Sequence, residues 1–440
     1  MLAAHLLHSG ALWEPEVFPL AAALQLKRGA ALYRDVWFDK PPLSAWIYLL
    51  WGAAQGPVLR IAGAVYDLLA CGLVFHLAAT LWTRREGYLA AGLLAFCLTF
   101  DTQAAVLPLG ADLLLLVPHL AAMLFAVRKQ PLLAGMAAGA GFLMNAKGVF
   151  VLAGCAVFLW PSLPLLVVGF LIPCGLGLAA LSSVADWYEQ AWRWPALYAA
   201  SPVVSDPVRN GLLRTGNWLG FHVTLAVGAG CYYYRNRDWR MIAWALLALA
   251  GVVLGWRFFP RYFFLLLPAL LVPASRGLVN CRKPLAAVAW LALIIPLARF
   301  GPKYFVVATS PDLAMDRDSR EASRLALQFA KPGSTLYVWG YRPELFVYTG
   351  LPAATKYIDS QALTGVPADR HLTQSTRVLK EGTHEAREEL ARARPEILMD
   401  GLSLFNPNLS MEHYAELRPW LSNYREVART KGIVIYTRTQ

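Results

Sequence analysis

Apolar residues recur along this chain in long, nearly unbroken runs. Nine are long enough, about 17 to 25 residues, to cross a bilayer as helices. They lie at roughly 58–82, 87–107, 109–127, 131–147, 163–183, 215–234, 241–256, 261–275 and 284–299, with a shorter tenth at 149–161. After Phe300 the pattern changes to amphipathic periods. Helices are expected at 318–330 and about 374–393, and strands at Thr335–Trp339, Glu396–Met399, 424–428 and 433–437. The expected architecture is an α-helical polytopic membrane module over residues 1–299, followed by an α/β soluble domain over 300–440.

Composition supports this reading. Of 440 residues 57 % are hydrophobic and 15 % charged, a balance that suits lipid better than water. The net charge of +12 does not point to nucleic acid, because the Lys and Arg are dispersed between apolar runs and form no stripe. Arg84-Arg85, Arg128-Lys129, Arg235/Arg237/Arg240 and Arg276/Arg282/Lys283 fall on alternate turns. The positive-inside rule therefore makes those turns cytoplasmic, and the opposite face and the C-terminal domain extracytoplasmic. The protein is expected in the cytoplasmic membrane, in contact with its lipids. A helix should precede the first extracytoplasmic loop (13–57), yet only about a dozen residues precede it where about twenty are needed, so the first helix is either absent or begins upstream. Met1–Leu12 lacks the features of a cleavable signal. The six cysteines all precede residue 300, lack metal or redox spacing, and read as core thiols.

Against this apolar background the stretch Tyr33-Arg34-Asp35-Val36-Trp37-Phe38-Asp39-Lys40-Pro41-Pro42-Leu43 stands out, with Glu14 and Glu16 upstream in Trp13-Glu14-Pro15-Glu16-Val17-Phe18. Carboxylates and a lysine converge where the chain meets the membrane surface. On the same face lie Asp101, Asp112 at the head of an apolar segment, Lys147, Arg193, and Arg257 and Arg261 flanking Phe258-Phe259-Pro260. Basic residues there break the positive-inside rule, which favours anion binding. Guanidinium groups clamp phosphate bidentately, and Tyr262 can add a hydrogen bond. Asp101 competes with Asp112, and either also reads as a helix cap. Trp187, Tyr188, Trp192, Trp194 and Tyr198 read as an interfacial aromatic belt. The five scattered histidines before residue 223 read as packing residues.

The Glu14 to Phe18 stretch followed by Leu32 to Leu43 resembles the first extracytoplasmic loop of GT-C membrane glycosyltransferases. The nearest groups are family 39, protein O-mannosyltransferase-like, and family 83, aminoarabinose transferase-like. Gly110-Ala111-Asp112-Leu113-Leu114, Phe142-Leu143-Met144-Asn145-Ala146-Lys147, Arg261-Tyr262-Phe263-Phe264 and Val338-Trp339-Gly340-Tyr341-Arg342-Pro343-Glu344-Leu345 extend the resemblance. It implies about 10–11 transmembrane helices and inverting transfer of a sugar from a polyprenyl-phosphate donor to an envelope lipid, glycan or protein outside the cytoplasm. By position Glu14 stands where the family has its catalytic acid, with Glu16 the alternative. Proline between the two glutamates departs from the family pattern. Asp112 is the third catalytic candidate, orienting the sugar or sharing a divalent cation with Glu14. No ligand cluster in the sequence decides for or against a metal. Lys40 matches the lysine that meets the lipid phosphate, and Tyr33, Asp35, Lys147, Arg257, Arg261 and Tyr262 complete the expected substrate site. Two other readings stand beside this one. A transporter or lipid flippase also uses intramembrane charge, though no internal repeat is visible. An inactive GT-C scaffold for envelope assembly would retain the fold without the base.

Overall fold

The computed structural model describes residues 1–199, 206–305, 311–366 and 382–439. Among them three helical stretches are long and apolar enough to cross a membrane: Pro57–Leu81, Gly148–Ala179 and Lys283–Tyr304. Ala111–Val127, Pro131–Met144, Trp239–Val253 and Leu267–Val279 are shorter apolar helices. The second long stretch is divided by a 3-10 turn at Trp160–Ser162. Lys129 Nζ donates to Phe158 O (2.9 Å), which sets the end of helix Gly148–Leu159 beside the start of Pro131–Met144, so the two run antiparallel.

Several expected spans are interrupted, and local chemistry shows why. The run at 87–107 forms helix Arg84–Thr99 and a short turn Gln103–Val106. At the break Asp101 Oδ1 accepts from Thr102 N (2.6 Å), a side chain competing with the helical ladder. The run at 215–234 divides at His222 into Pro207–Phe221 and Val223–Arg235. The run at 261–275 opens as a 3-10 turn, Pro260–Phe264, before helix Leu267–Val279.

Helix pairing rests on small residues. A Cβ on Gly277 would lie 1.8 Å from Gly228 O, and one on Gly169 would lie 2.2 Å from Leu132 O. Backbones at these crossings are therefore in direct contact, the mode that holds helices together where lipid supplies no hydrophobic drive.

Residues Glu14–Lys27 form a helix buried over most of its length. Its N-terminus is capped from within: Glu16 Oε1 accepts from Trp13 N (3.0 Å), and Pro15 occupies the first turn, where it sacrifices no hydrogen bond. This helix packs beneath Glu344–Thr349 of the C-terminal region. There a four-stranded sheet contains β1 (Leu336–Trp339), β2 (Ile397–Asp400), β3 (Tyr424–Arg429) and β4 (Val434–Arg438) in the order β1-β2-β4-β3. β1 and β2 are parallel, with Trp339 opposite Asp400, and the remaining pairings are antiparallel. All four strands fall where the alternation pattern places them. The first expected helix extends over Pro311–Leu327. The second is Thr383–Arg392, and the 374–381 part of that expectation lies outside the described residues.

The Gly228–Gly277 crossing yields a stability test. Gly277→Ala forces a methyl into backbone and should destabilise by about 1–3 kcal/mol, read as a lower melting temperature in detergent. An unchanged melting temperature would contradict the close approach.

Candidate active site

Four separate elements bring charge to one place. Glu14 begins its buried helix, Asp112 lies in the first turn of Ala111–Leu114, Lys147 follows helix Pro131–Met144, and Arg261 lies in the turn Pro260–Phe264. Arg261 Nη1 donates to Glu14 Oε2 (2.8 Å), and its Nε is 3.6 Å from Asp112 Oδ2. Lys147 Nζ and Asn145 Nδ2 both donate to Asp112 Oδ1, at 3.0 and 3.1 Å. Two carboxylates thus meet two cations in a closed knot. Aromatic faces support the cations: Lys147 Nζ is 3.2 Å from the Tyr262 ring centroid and the Arg261 guanidinium 4.9 Å from that of Phe259.

The chain reaches this geometry through glycines. A Cβ on Gly110 would fall 2.7 Å from Pro15 Cβ, and one on Gly148 would fall 2.4 Å from Phe142 N. The first lets the Asp112 turn approach the Glu14 helix. The second permits the tight Asn145–Gly148 turn, in which Asn145 Oδ1 accepts from Lys147 N (3.0 Å).

Glu16 is placed elsewhere. Its carboxylate is fully buried and engaged by Arg60, whose Nη1 donates to Oε2 at 3.0 Å and whose Nη2 reaches Oε1. Arg60 also donates to Leu107 O and Ala11 O. This pair joins the Glu14 helix to helix Pro57–Leu81 and is closed to solvent. Asp101 stands apart too, 3.6 Å from His222 Nε2. Arg193 pairs with Glu189, and the carbonyl of Arg257 accepts from Arg214 Nη1 (3.3 Å).

Lys40 lies beside the Glu14 helix. Its ammonium contacts Asp39 Oδ1 (2.7 Å) and sits 5.4 Å from the centroid of Phe18, one turn beyond Glu14. Tyr33 and Asp35 frame this loop. Tyr33 adopts a left-handed φ of 68°, its buried hydroxyl donates to Lys40 O (2.7 Å), and burial pushes that hydroxyl well above its ordinary value. Asp35 accepts from Ala31 N (2.9 Å) and pairs with Arg34. The Arg34 hydrogen bond, seconded by Ala31 N, lowers its carboxyl to about 2.

The C-terminal region takes a direct part in holding this loop and helix. Trp37 N donates to Lys356 O (2.8 Å), Arg28 Nη1 to Leu351 O (3.0 Å), and Leu12 N to Asp316 Oδ1 (3.0 Å). Tyr341, following β1, packs on Phe18 with ring centroids 5.9 Å apart. Burial first, then the charges of Glu14, Asp39 and Asp359, raise its hydroxyl well above the ordinary tyrosine value against the pull of Arg261. It is therefore a proton-bearing donor between the two charged clusters, and that hydroxyl has no hydrogen-bond partner among the described residues. Tyr341 lies inside the Trp-Gly-Tyr-Arg stretch that carries the resemblance, a signal that could have found it. Asn145 lies likewise in the Phe142 to Lys147 stretch of the resemblance, whereas Asp359 carries no comparable signal.

A divalent cation shared by Glu14 and Asp112 does not fit these residues. Both carboxylates are already engaged by Arg261, and Asp112 also by Lys147, so the charge a metal would neutralise is neutralised by the chain. Among the described residues no group of three or more His, Cys, Asp and Glu is arranged to hold a metal.

Compared with solved structures, the chain is similar to ArnT from Cupriavidus metallidurans in the apo state, with 16 % identity and a TM-score of 0.58 over 97 % of this chain and 94 % of that one. The form bound to undecaprenyl phosphate gives 16 % and 0.60 over 99 % and 95 %. The arabinofuranosyltransferase AftD from Mycobacteria gives 12 % and 0.50 over 99 % and 41 %. No family model and no curated protein matches the chain. The likeness establishes the fold, which is that of the GT-C glycosyltransferases.

Asp359 supplies a pH test. Burial pushes its carboxyl up from near 3.8 to about 7; the two Gln361 hydrogen bonds and Lys40 oppose this, and Asp39 adds to it. Tyr337 and Tyr341 also sense its charge. Between those values the folded state holds a proton that the unfolded state releases, so stability falls as pH rises from about 4 to 7. Asp359→Asn should flatten the decline in melting temperature between pH 5 and 8. Equal slopes for variant and wild type would refute it.

Proposed function

We propose that the protein is an inverting glycosyltransferase that moves a sugar from a polyprenyl-phosphate donor to an envelope lipid, glycan or protein at the extracytoplasmic membrane face. Residues 1–299 act as the membrane catalytic module and 300–440 as an extracytoplasmic domain closing over it. The observation that carries this reading is the Glu14–Arg261–Asp112–Lys147 knot beside Lys40 and Tyr341, in a fold shared with a protein solved with undecaprenyl phosphate bound.

The chemistry follows from the groups present. Glu14 takes the proton of the acceptor hydroxyl, whose oxygen forms the new bond to the anomeric carbon. The anomeric carbon–phosphate oxygen bond breaks, and the phosphate retains the electron pair. Lys40, Arg261 and the Tyr341 hydroxyl stabilise the charge that develops there. Glu16 cannot serve as base, since its oxygens are buried against Arg60. Asp112 holds Lys147 and Arg261 in place.

The test is transfer from radiolabelled polyprenyl-phosphate sugars in membranes, with native envelope extract as acceptor. Glu14→Gln should lower the rate about 10²–10⁴-fold while the protein folds normally. Wild-type rates in that variant would overturn the assignment. Glu16→Gln should act on stability instead: it leaves Arg60 buried without its counter-charge, which costs about 3–5 kcal/mol. A normal melting temperature for that variant would contradict the structural role. Transfer should also persist in the presence of a chelator, and a loss restored by added metal would contradict the all-protein charge balance.

A further inference from the structure

Gln190 occupies an unusual position. It is 6 % exposed and lies in a π-helical turn, Glu189–Arg193, between helices Val184–Tyr188 and Trp194–Ala199. Single π turns inside helices occur frequently at functional sites. Both ends of its amide are used on one loop: Oε1 accepts from Phe38 N (2.9 Å), and Nε2 donates to Tyr33 O (2.8 Å). Those two residues begin and end the turn preceding Lys40, in which Tyr33 N donates to Val36 O (2.8 Å).

The consequences reach Lys40 by two routes. Tyr33 hydrogen-bonds the Lys40 carbonyl through its hydroxyl. Phe38 stacks on Phe18 with centroids 5.1 Å apart, and Phe18 is the ring on which the Lys40 ammonium rests. Trp194, from the same segment as Gln190, meets Trp37 edge-on at 5.7 Å. A left-handed φ at a tyrosine costs on the order of 1–3 kcal/mol and persists only where its surroundings over-determine it. Gln190 is the side chain that grips Tyr33 from outside the loop.

We infer that Gln190 is a positioning residue for the donor phosphate, acting through the Tyr33–Phe38 turn to aim the Lys40 ammonium. It touches no substrate. The inference rests on the assignment of Lys40 to the donor phosphate. It goes beyond that assignment by making the 184–199 segment part of the donor site.

The experiment uses purified full-length protein and polyprenyl phosphate without a sugar as the binding probe. Gln190→Met retains length and packing but loses both hydrogen bonds, and Gln190→Leu serves as a second variant. Each should weaken polyprenyl-phosphate binding about tenfold, raise the donor KM to match and lower kcat as well, since the Lys40 ammonium also meets the charge of the leaving phosphate, while the acceptor KM stays within twofold. The decisive comparison is the pair Lys40→Ala and Lys40→Ala/Gln190→Met. A residue acting only through Lys40 adds nothing once the ammonium is gone, so both should bind equally weakly. Additive losses, donor binding unchanged in folded Gln190 variants, or failure of both variants to fold as monodisperse protein would each overturn the inference. If Lys40→Ala itself binds polyprenyl phosphate like wild type, the reading of Lys40 fails. If it loses binding while the Gln190 variants do not, only the role of Gln190 fails.

Discussion

One guanidinium shared between two carboxylates organises this protein. Arg261 reaches Glu14 and Asp112 at once, and Lys147 completes the neutralisation of Asp112. Left with no partner at all, any of these charges would be costly in a largely apolar, partly desolvated setting, and Asp112 keeps Arg261 and Lys147 paired even where Glu14 is neutralised. The contributing segments lie at residues 14, 112, 147 and 261, so the balance is achieved only when four distant parts of the chain fold together. The tight approaches at Gly110 and Gly148, and the aromatic faces under Lys147 and Arg261, make that meeting sterically possible.

A second constraint is mechanical. The Lys40 loop has no regular structure of its own and is held from outside by Gln190, by Lys356 and through Phe18 of the Glu14 helix. That helix is itself held by Arg60 from one side and by the segment after β1 from the other. The N-terminal helices and the C-terminal region therefore both hold this loop in place. Tyr341 and Asp359 answer electrostatically to Asp39, and Tyr341 to Glu14 as well.

How much of this could be read from the chain depends on the range of the interaction. Strands and most apolar helices announce themselves locally, through alternation or continuous hydrophobicity, and β1 to β4 appear where expected. The turn at Asp101 was legible as a polar interruption between apolar segments, whereas the division of the 215–234 run at His222 was not. The cluster of Glu14, Asp112, Lys147 and Arg261 was partly legible, since ionisable residues bordering long apolar runs are expensive enough to need a reason. Choosing between Glu14 and Glu16 was not. That distinction depends on Arg60, 44 residues away on a helix where an arginine near the end resembles an ordinary snorkelling residue. Asp359 and Gln190 were beyond reach for the same reason, because their significance lies wholly in what they face across the fold.

The Arg261 pair also bears on the order of events in the proposed reaction. Arg261 occupies Glu14 Oε2, one of the oxygens that in the proposed reaction would accept the acceptor's proton. A phosphate carries more charge than a carboxylate and offers a guanidinium bidentate geometry. In the proposed reaction its arrival would compete for Arg261, while Asp112 would keep the Nε side of the same group. Donor binding would then do two things with a single side chain: fix the leaving group and open the base to the acceptor. The same charge balance that stabilises the fold would thereby couple the two substrates.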